Sequence, residues 1–226
     1  MTRQGLLALL LALGGLVAVA YFTLTPAPEP EPEPEPEEVV QPAAEIPDTA
    51  PDAVAVPGDT PGPFMTITLA GEAEGRIVID LLAENAPKHV AQISALAQDG
   101  LYDGVVFHRV IEGFMAQTGD VQFGKADGDT ARAGMGSSER PDIAAEFSDI
   151  PFDRGMVGMA RSQDVNSANS QFFIMFDAGY FLNGQYTVVG KVTEGLEVLD
   201  AIKRGEGPNG SVLGTPDRME KVELSQ

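Results

Sequence analysis

From Phe64 onward, apolar and polar positions alternate. Met65, Ile67 and Leu69 are separated by Thr66 and Thr68, and Ile77, Ile79 and Leu81 by Val78 and Asp80. A two-residue period puts each apolar set on one face of a strand. The segment between them, Ala70-Gly71-Glu72-Ala73-Glu74-Gly75, has turn composition, so the pair predicts a β-hairpin. The period then changes. Val90, Ile93, Leu96 and Ala97 share one side of a helix that Pro87 can start and Gly100 can end, and His89 on that helix is expected to be exposed. Short apolar segments return at residues 105–110, 115–119, 156–160, 171–176 and 186–192, and a last one at 221–224. A second helix is expected over residues 193–204, with Leu196, Leu199 and Ile202 on one side and Gly205 as its stop. Many short strands with two helices predict a mainly β domain, and closure into an antiparallel barrel is one way to remove exposed strand edges.

The chain before this domain reads differently. Residues 5–24 carry no charge, and twenty such residues are enough to cross a bilayer as a helix. Arg3 is the nearby basic side chain, which favours an N-terminus left in the cytoplasm. The same stretch also reads as a cleaved signal peptide, with residues 6–17 as its apolar region, Gly14-Gly15 as a breaker and Ala18-Val19-Ala20 as the cleavage site. Both readings export the rest of the chain. The first leaves it in the periplasm on an inner-membrane tether, the second as a soluble periplasmic protein. Residues 25–63 hold twelve of the 17 prolines, with Pro and Glu alternating over residues 28–37. Proline fixes φ and lacks an N–H, so this linker is expected to be an extended polyproline II spacer with a reach on the order of 100 Å. The predicted organisation is therefore an anchor or signal peptide over 1–24, a linker over 25–63 and a globular domain over 64–226.

Charge and composition narrow the function. The formal net charge is -20 and the isoelectric point is about 4.2. The linker holds ten acidic and no basic residues, and the domain 24 acidic against 13 basic. Such a surface favours solubility and argues against nucleic acid as a partner. Cysteine is absent, which excludes disulfides and thiolate chemistry. His89 and His108 are the two histidines, and neither sits in a metal-ligand spacing, so no metal or organic cofactor is expected. The Gly205-Glu206-Gly207-Pro208-Asn209-Gly210 string has the GxGxxG form. It follows a predicted helix rather than a strand and has a proline where a helix would start, so it is not read as a dinucleotide site. The Gly-rich, mostly polar loop over 121–140 is long for an unstructured connection, as functional loops often are.

The remaining signal is a set of uncharged groups around one arginine. It runs through Phe107-His108-Arg109-Val110, Phe114-Met115-Ala116-Gln117, Met159-Ala160-Arg161, Ser170-Gln171-Phe172-Phe173-Ile174, Phe181-Leu182 and Tyr186. Apolar side chains and amides around a guanidinium suit an apolar ring whose amide must be held and polarised. They do not suit hydrolysis, which needs a titrating pair. In this order and spacing the segments resemble the cyclophilin family of peptidyl-prolyl cis–trans isomerases, from about Phe64 to Leu224.

The resemblance implies a closed eight-stranded antiparallel β-barrel capped by two α-helices. It implies rotation of X–Pro bonds in protein substrates, here in the folding of exported proteins, without cofactor and with a monomer as the default. Arg109 would donate to the substrate proline, with Gln117 and Phe114 beside it. Phe114, Met115, Phe173 and Leu182 would form the proline pocket, and Gln117 and Gln171 would hold the substrate backbone and orient Arg109. Ala160 would offer backbone hydrogen bonds to an extended peptide. Strand alternation places Phe173 in the pocket and Phe172 in the core, and turns His108 away from Arg109 as a satisfied structural histidine. Phe181, Tyr186 and Arg161 stand where the best-known eukaryotic members carry tryptophan, histidine and asparagine. The alternative is a non-catalytic module that binds proline-containing segments as a chaperone or assembly factor, and such a module has no need of the arginine.

Overall fold

The computed structural model describes residues 62–225, so the apolar N-terminal stretch and nearly all of the Pro-Glu linker lie outside the described residues. Strands β1 (Phe64–Ala70) and β2 (Gly75–Leu81) form the expected hairpin, with Ile67 opposite Ile77. Their alternating apolar residues are all buried. Helix α1 (Pro87–Gln98) follows, with Pro87 in its first turn, Val90, Ile93 and Leu96 buried, and Gly100 just past its end.

The start of α1 is stabilised from a distance. The Glu146 carboxylate accepts the backbone N–H of Lys88 at 3.1 Å and of His89 at 3.1 Å, which satisfies two donors that a helix leaves open. His89 Nδ1 lies 2.6 Å from the same carboxylate. Burial raises the Glu146 pKa, but the bonds from the His89 ring and from the two N–H groups outweigh it and hold the carboxyl below its ordinary value. His89 is fully buried, contrary to the expectation of exposure. It shares the face of Ile93 and Leu96, at spacings of four and seven residues.

The remaining elements are β3 (Val105–Val106), β4 (Arg109–Ile111), β5 (Met115–Thr118), β6 (Met156–Met159), β7 (Phe172–Met175), β8 (Val188–Glu194), α2 (Leu196–Asp200) and β9 (Arg218–Ser225). All pairings are antiparallel, in one sheet of order β3-β9-β1-β2-β8-β6-β7-β5-β4. The fold is mainly β with two helices, but the closed eight-stranded barrel is not formed. The predicted strand over 105–110 breaks at Phe107 and His108 into β3, which pairs with β9, and β4, which pairs with β5. At the break the Phe107 N–H donates to the Asp217 carbonyl at 2.8 Å, and the His108 carbonyl accepts from Val212 N–H at 3.1 Å. The backbone there is satisfied by residues before β9 instead of by a continuous ladder. The nine-stranded sheet therefore curls until its two edge strands are consecutive stretches of chain, and its hydrogen bonding stays open between them.

The second helix is also shorter than expected. Strand β8 continues to Glu194, paired with Val78, and Gly195 at φ 88° makes the turn into the five-residue α2. Leu199 and Ile202 are buried as predicted, and Leu196 is half-buried.

Two apolar bodies result. The larger contains Phe172, Ile174, Ala116 and Val110 with the apolar faces of β1, β2 and α1. The smaller contains Met115, Phe173, Met175, Phe152, Leu182 and Val188. Strands β5 and β7 therefore bury both faces, one residue set in each body. Burial of each large side chain contributes roughly 1.5–3 kcal/mol.

Candidate active site

Antiparallel register builds the centre of the site. Arg109 on β4 faces Gln117 on β5, Gln117 faces Phe173 on β7, and Phe173 faces Gly158 on β6. Residues opposite one another across a sheet share a face, so these four form a transverse row. Phe172, one residue from Phe173, joins the larger core against Tyr102, with ring centroids 5.6 Å apart. The two phenylalanines face opposite sides of β7, as strand alternation predicts.

Arg109 is half-buried and held by uncharged groups. Its Nη1 donates to Gln117 Oε1 at 3.2 Å and lies 3.8 Å from Met115 Sδ. Its Nε donates to the Asn209 carbonyl at 3.0 Å, and Nη2 to Asn209 Oδ1 at 3.1 Å. Burial lowers the Arg109 pKa from its ordinary value, and Tyr186 opposes this. A guanidinium stays protonated under any such shift.

The amides continue away from the arginine. Gln117 Nε2 donates to Gln171 Oε1 at 3.0 Å, and Gln171 Nε2 donates to the carbonyls of Gly134 and Gly136 at 3.1 and 2.8 Å. Those glycines are fixed by the buried Asp120. One of its oxygens accepts the N–H of Gly134 at 2.7 Å and of Gly136 at 2.8 Å, and the other accepts from Gln122 and Phe123. The Gly-rich loop thus has a definite path beside the site. A cavity of 340 Å³ lies between the loop and the segment after β6, lined by Gln117, Gly134, Gly136, Ala160, Asn169 and Gln171 among others.

The apolar wall stands on the other side. Phe173 stacks on Phe152 at 5.7 Å and meets Tyr186 edge-on at 5.8 Å. Phe114 and Phe181 lie 5.4 Å apart, with Phe181 66% exposed at the rim and Leu182 buried next to it. Met115 is buried in the same apolar cluster as Phe173 and Leu182. The Arg161 guanidinium lies 4.4 Å over the Tyr186 ring and donates from Nε and Nη2 to the Gln185 carbonyl, at 3.3 and 3.0 Å. It holds the Tyr186 segment in place by stacking and hydrogen bonding.

The fold therefore brings all eleven expected site residues into one region, with two corrections nearby. The Ala160 N–H donates to the Gln171 carbonyl at 2.9 Å, so only the Ala160 carbonyl is left for a peptide. His108 is not fully satisfied: its ring faces the Val106 backbone and the Gln171 side chain, but neither nitrogen meets them at full hydrogen-bonding geometry. Its ring lies against Gly134, where a β-carbon would approach it to 2.9 Å. Burial first of all pushes its pKa down to about 4, Arg109 adds to this, and Asp120 opposes it.

Four contributors were not foreseen. Gly158 leaves room for two rings, since a β-carbon there would come within 2.4 Å of Phe173 and 2.6 Å of Phe152. Phe152 carries no period that marks it. Asp120 and Asn209 act over long sequence separations. Asn209 has a local signal, an asparagine between Pro208 and Gly210 in a turn string, but that signal does not point to Arg109.

What the arrangement can do is hold an apolar ring against Phe173 and present N–H donors from one cation to an amide. Among the described residues no cluster of three or more His, Asp or Glu side chains could hold a metal ion.

Comparison with known proteins agrees with this chemistry. Residues 64–224 match the family model described as cyclophilin-type peptidyl-prolyl cis-trans isomerase/CLD. A probable peptidyl-prolyl cis-trans isomerase of Brucella suis biovar 1 is 58% identical over 153 residues, covering 67% of this chain and 78% of the relative. A peptidyl-prolyl cis-trans isomerase of Helicobacter pylori is 38% identical over 135 residues, covering 59% and 77%. Among solved structures, the cyclophilin AquaCyp293 of Hirschia baltica matches with a TM-score of 0.58 and 27% identity, over 71% of this chain and 73% of that one. A Cryptosporidium parvum cyclophilin-type isomerase, crystallised in the presence of the dipeptide Ala-Pro, matches with a TM-score of 0.60 and 24% identity, over 72% and 99%.

Proposed function

The chain belongs to the cyclophilin-type peptidyl-prolyl cis-trans isomerases, and we propose that it rotates X–Pro bonds of exported proteins through a step centred on Arg109. The observation that carries this reading is a guanidinium held by neutral acceptors at the edge of an apolar cluster that includes Met115, Phe173 and Leu182. Rotation about an X–Pro bond breaks amide resonance, and the barrier is about 18–20 kcal/mol. In the twisted amide the proline nitrogen is pyramidal and carries a lone pair. An N–H of Arg109 aimed at that nitrogen binds the twisted form better than the planar one, which lowers the barrier. The proline ring sits against Phe114, Met115, Phe173 and Leu182. Gln117 orients Arg109 and, with Gln171, holds the substrate backbone, and the Ala160 carbonyl accepts from it. Phe181, Tyr186 and Arg161 form the rim. A monomer is the working unit of this proposal.

The site for clients follows from the sequence before the domain. An uncharged stretch over 5–24 and a proline-rich linker of 39 residues support an inner-membrane tether with the domain in the periplasm, and cleavage after residue 20 would release the same domain there.

The test is NMR exchange spectroscopy on a short Ala-Pro peptide, with the full chain and with Arg109→Ala. The wild type accelerates exchange at catalytic amounts, and the variant stays folded and loses on the order of 100-fold or more. Peptide binding without faster exchange in the wild type would make the groove a recognition module. Wild-type turnover in folded Arg109→Ala would remove the arginine from the mechanism.

A further inference from the structure

Resting on the assignment of Arg109 as the catalytic cation, we infer that Asn209 is a positioning residue. It grips the guanidinium with two uncharged acceptors, so that the cation is oriented yet keeps its charge for the substrate.

Asn209 meets one edge of the guanidinium with its main-chain carbonyl at Nε, 3.0 Å, and its side-chain Oδ1 at Nη2, 3.1 Å. Gln117 takes Nη1 on the other side at 3.2 Å. Two separate contacts fix both the position and the plane of the group. All of these acceptors are neutral. Elsewhere Arg140, Arg154, Arg204 and Arg218 each pair with a carboxylate, as expected on a chain of net charge -20. A carboxylate beside Arg109 would bind it more tightly but would draw its N–H groups and charge away from the twisted amide.

The local chain is built to present Asn209 in this way. Its φ of 54° and ψ of 31° are left-handed, and it is the sole non-glycine residue with positive φ among the described residues. Asparagine enters this region more readily than most side chains. The turn is closed by Gly207 N–H to the Ser211 carbonyl at 2.9 Å and tied to β4 by Gly205 N–H to the Val110 carbonyl at 2.9 Å. Ser211 also bridges Arg109 directly across the backbone. At Gly205 a β-carbon would stand 1.9 Å from the Gly210 carbonyl oxygen, so the loop closes only over a glycine. The string with the GxGxxG form is thus a cradle for one asparagine, set against the catalytic strand.

The test uses the full chain with Asn209→Asp and Asn209→Gly, reading kcat and KM for Ala-Pro exchange and the Arg109 Nε–H resonance by NMR. Asp keeps the shape, the two acceptor positions and tolerance of the left-handed backbone, and changes only the charge. It is expected to lower kcat by about tenfold or more, with KM little changed and the Nε–H resonance shifted. Gly keeps the carbonyl bond to Nε and removes the bond to Nη2. It is expected to keep a protected Nε–H and to lose turnover by a smaller factor. Wild-type kcat in folded Asn209→Asp overturns the inference, and so does a loss carried by KM alone. These failures differ from failure of the underlying reading, which is an Arg109→Ala variant as active as the wild type.

Discussion

Replacing Gly158 by alanine tests whether the pocket wall depends on the absence of one side chain. The residue has no left-handed backbone, so alanine fits its conformation and by itself should stabilise by about 0.4–1 kcal/mol through the unfolded state. The space, however, is taken. The new carbon would stand 2.4 Å from Phe173 Cζ, and 2.6 and 2.9 Å from Phe152 Cε1 and Cζ, where ordinary contact begins at 3.4 Å. The Phe173 ring has to retreat by about 1 Å. Phe152 is fully buried and stacked at 5.7 Å, and Tyr186 closes another side at 5.8 Å, so the easiest path leads toward the place proposed for the substrate proline. Overpacking of this kind costs about 1–3 kcal/mol, which outweighs the gain and leaves a net loss of up to about 2.6 kcal/mol. A misplacement of about 1 Å at the substrate ring can lower turnover by up to about 100-fold. Urea unfolding should show a lower midpoint with an unchanged slope, and peptide exchange should slow through a higher KM as well as a lower kcat. An alanine variant at least as stable as the wild type, with unchanged exchange kinetics, would refute this account of the pocket wall.

Two further predictions concern the loop side of the site. His108 is held neutral, its pKa lowered by burial from 6.5 to about 4, so the stability tied to its neutral form is complete above pH 6.5 and is lost as pH falls toward 4. Unfolding free energies from urea titrations at pH 7 and 4.5 should differ by about 2 kcal/mol less in His108→Gln than in the wild type, and an undiminished acid loss would mean that another group titrates. Asp120→Asn leaves one acceptor oxygen for four backbone N–H groups and turns an NH2 toward some of them. It should cost about 1–3 kcal/mol and slow exchange by freeing the glycine carbonyls that hold Gln171, and unchanged peptide kinetics would disconnect the loop from catalysis.

What could be read from the sequence was what repeats locally. The β1–β2 hairpin, the apolar face of α1 and the opposite facing of Phe172 and Phe173 all follow from periods of two or 3.6 residues. The arginine, glutamine and phenylalanine set was legible because its segments keep the order and spacing of a known family. Features set by distant partners were not. Nothing near residue 107 announces that its N–H goes to Asp217, so one predicted strand became two and the expected barrel became an open nine-stranded sheet. His89 is buried against the expectation of exposure, and its spacing to Ile93 and Leu96 already puts it on the buried face. Its partner, Glu146, lies 57 residues away. Asn209 is 100 residues from Arg109, and a turn string shows only that the backbone bends, not what it bends toward.

The transverse row also limits how such a protein can change. On β5, Met115 and Gln117 lie on the side of the proposed site while Ala116 lies in the larger core, and on β7 Phe173 and Met175 alternate in the same way with Phe172 and Ile174. One residue inserted in the turn between β4 and β5 would exchange the two sets, burying an amide and pointing core side chains at the client. The lengths of these short turns are therefore as much a part of the active site as its side chains. New client preferences can arise by substitution at the rim positions, or by growth of the loop over 121–140, but not by sliding a strand.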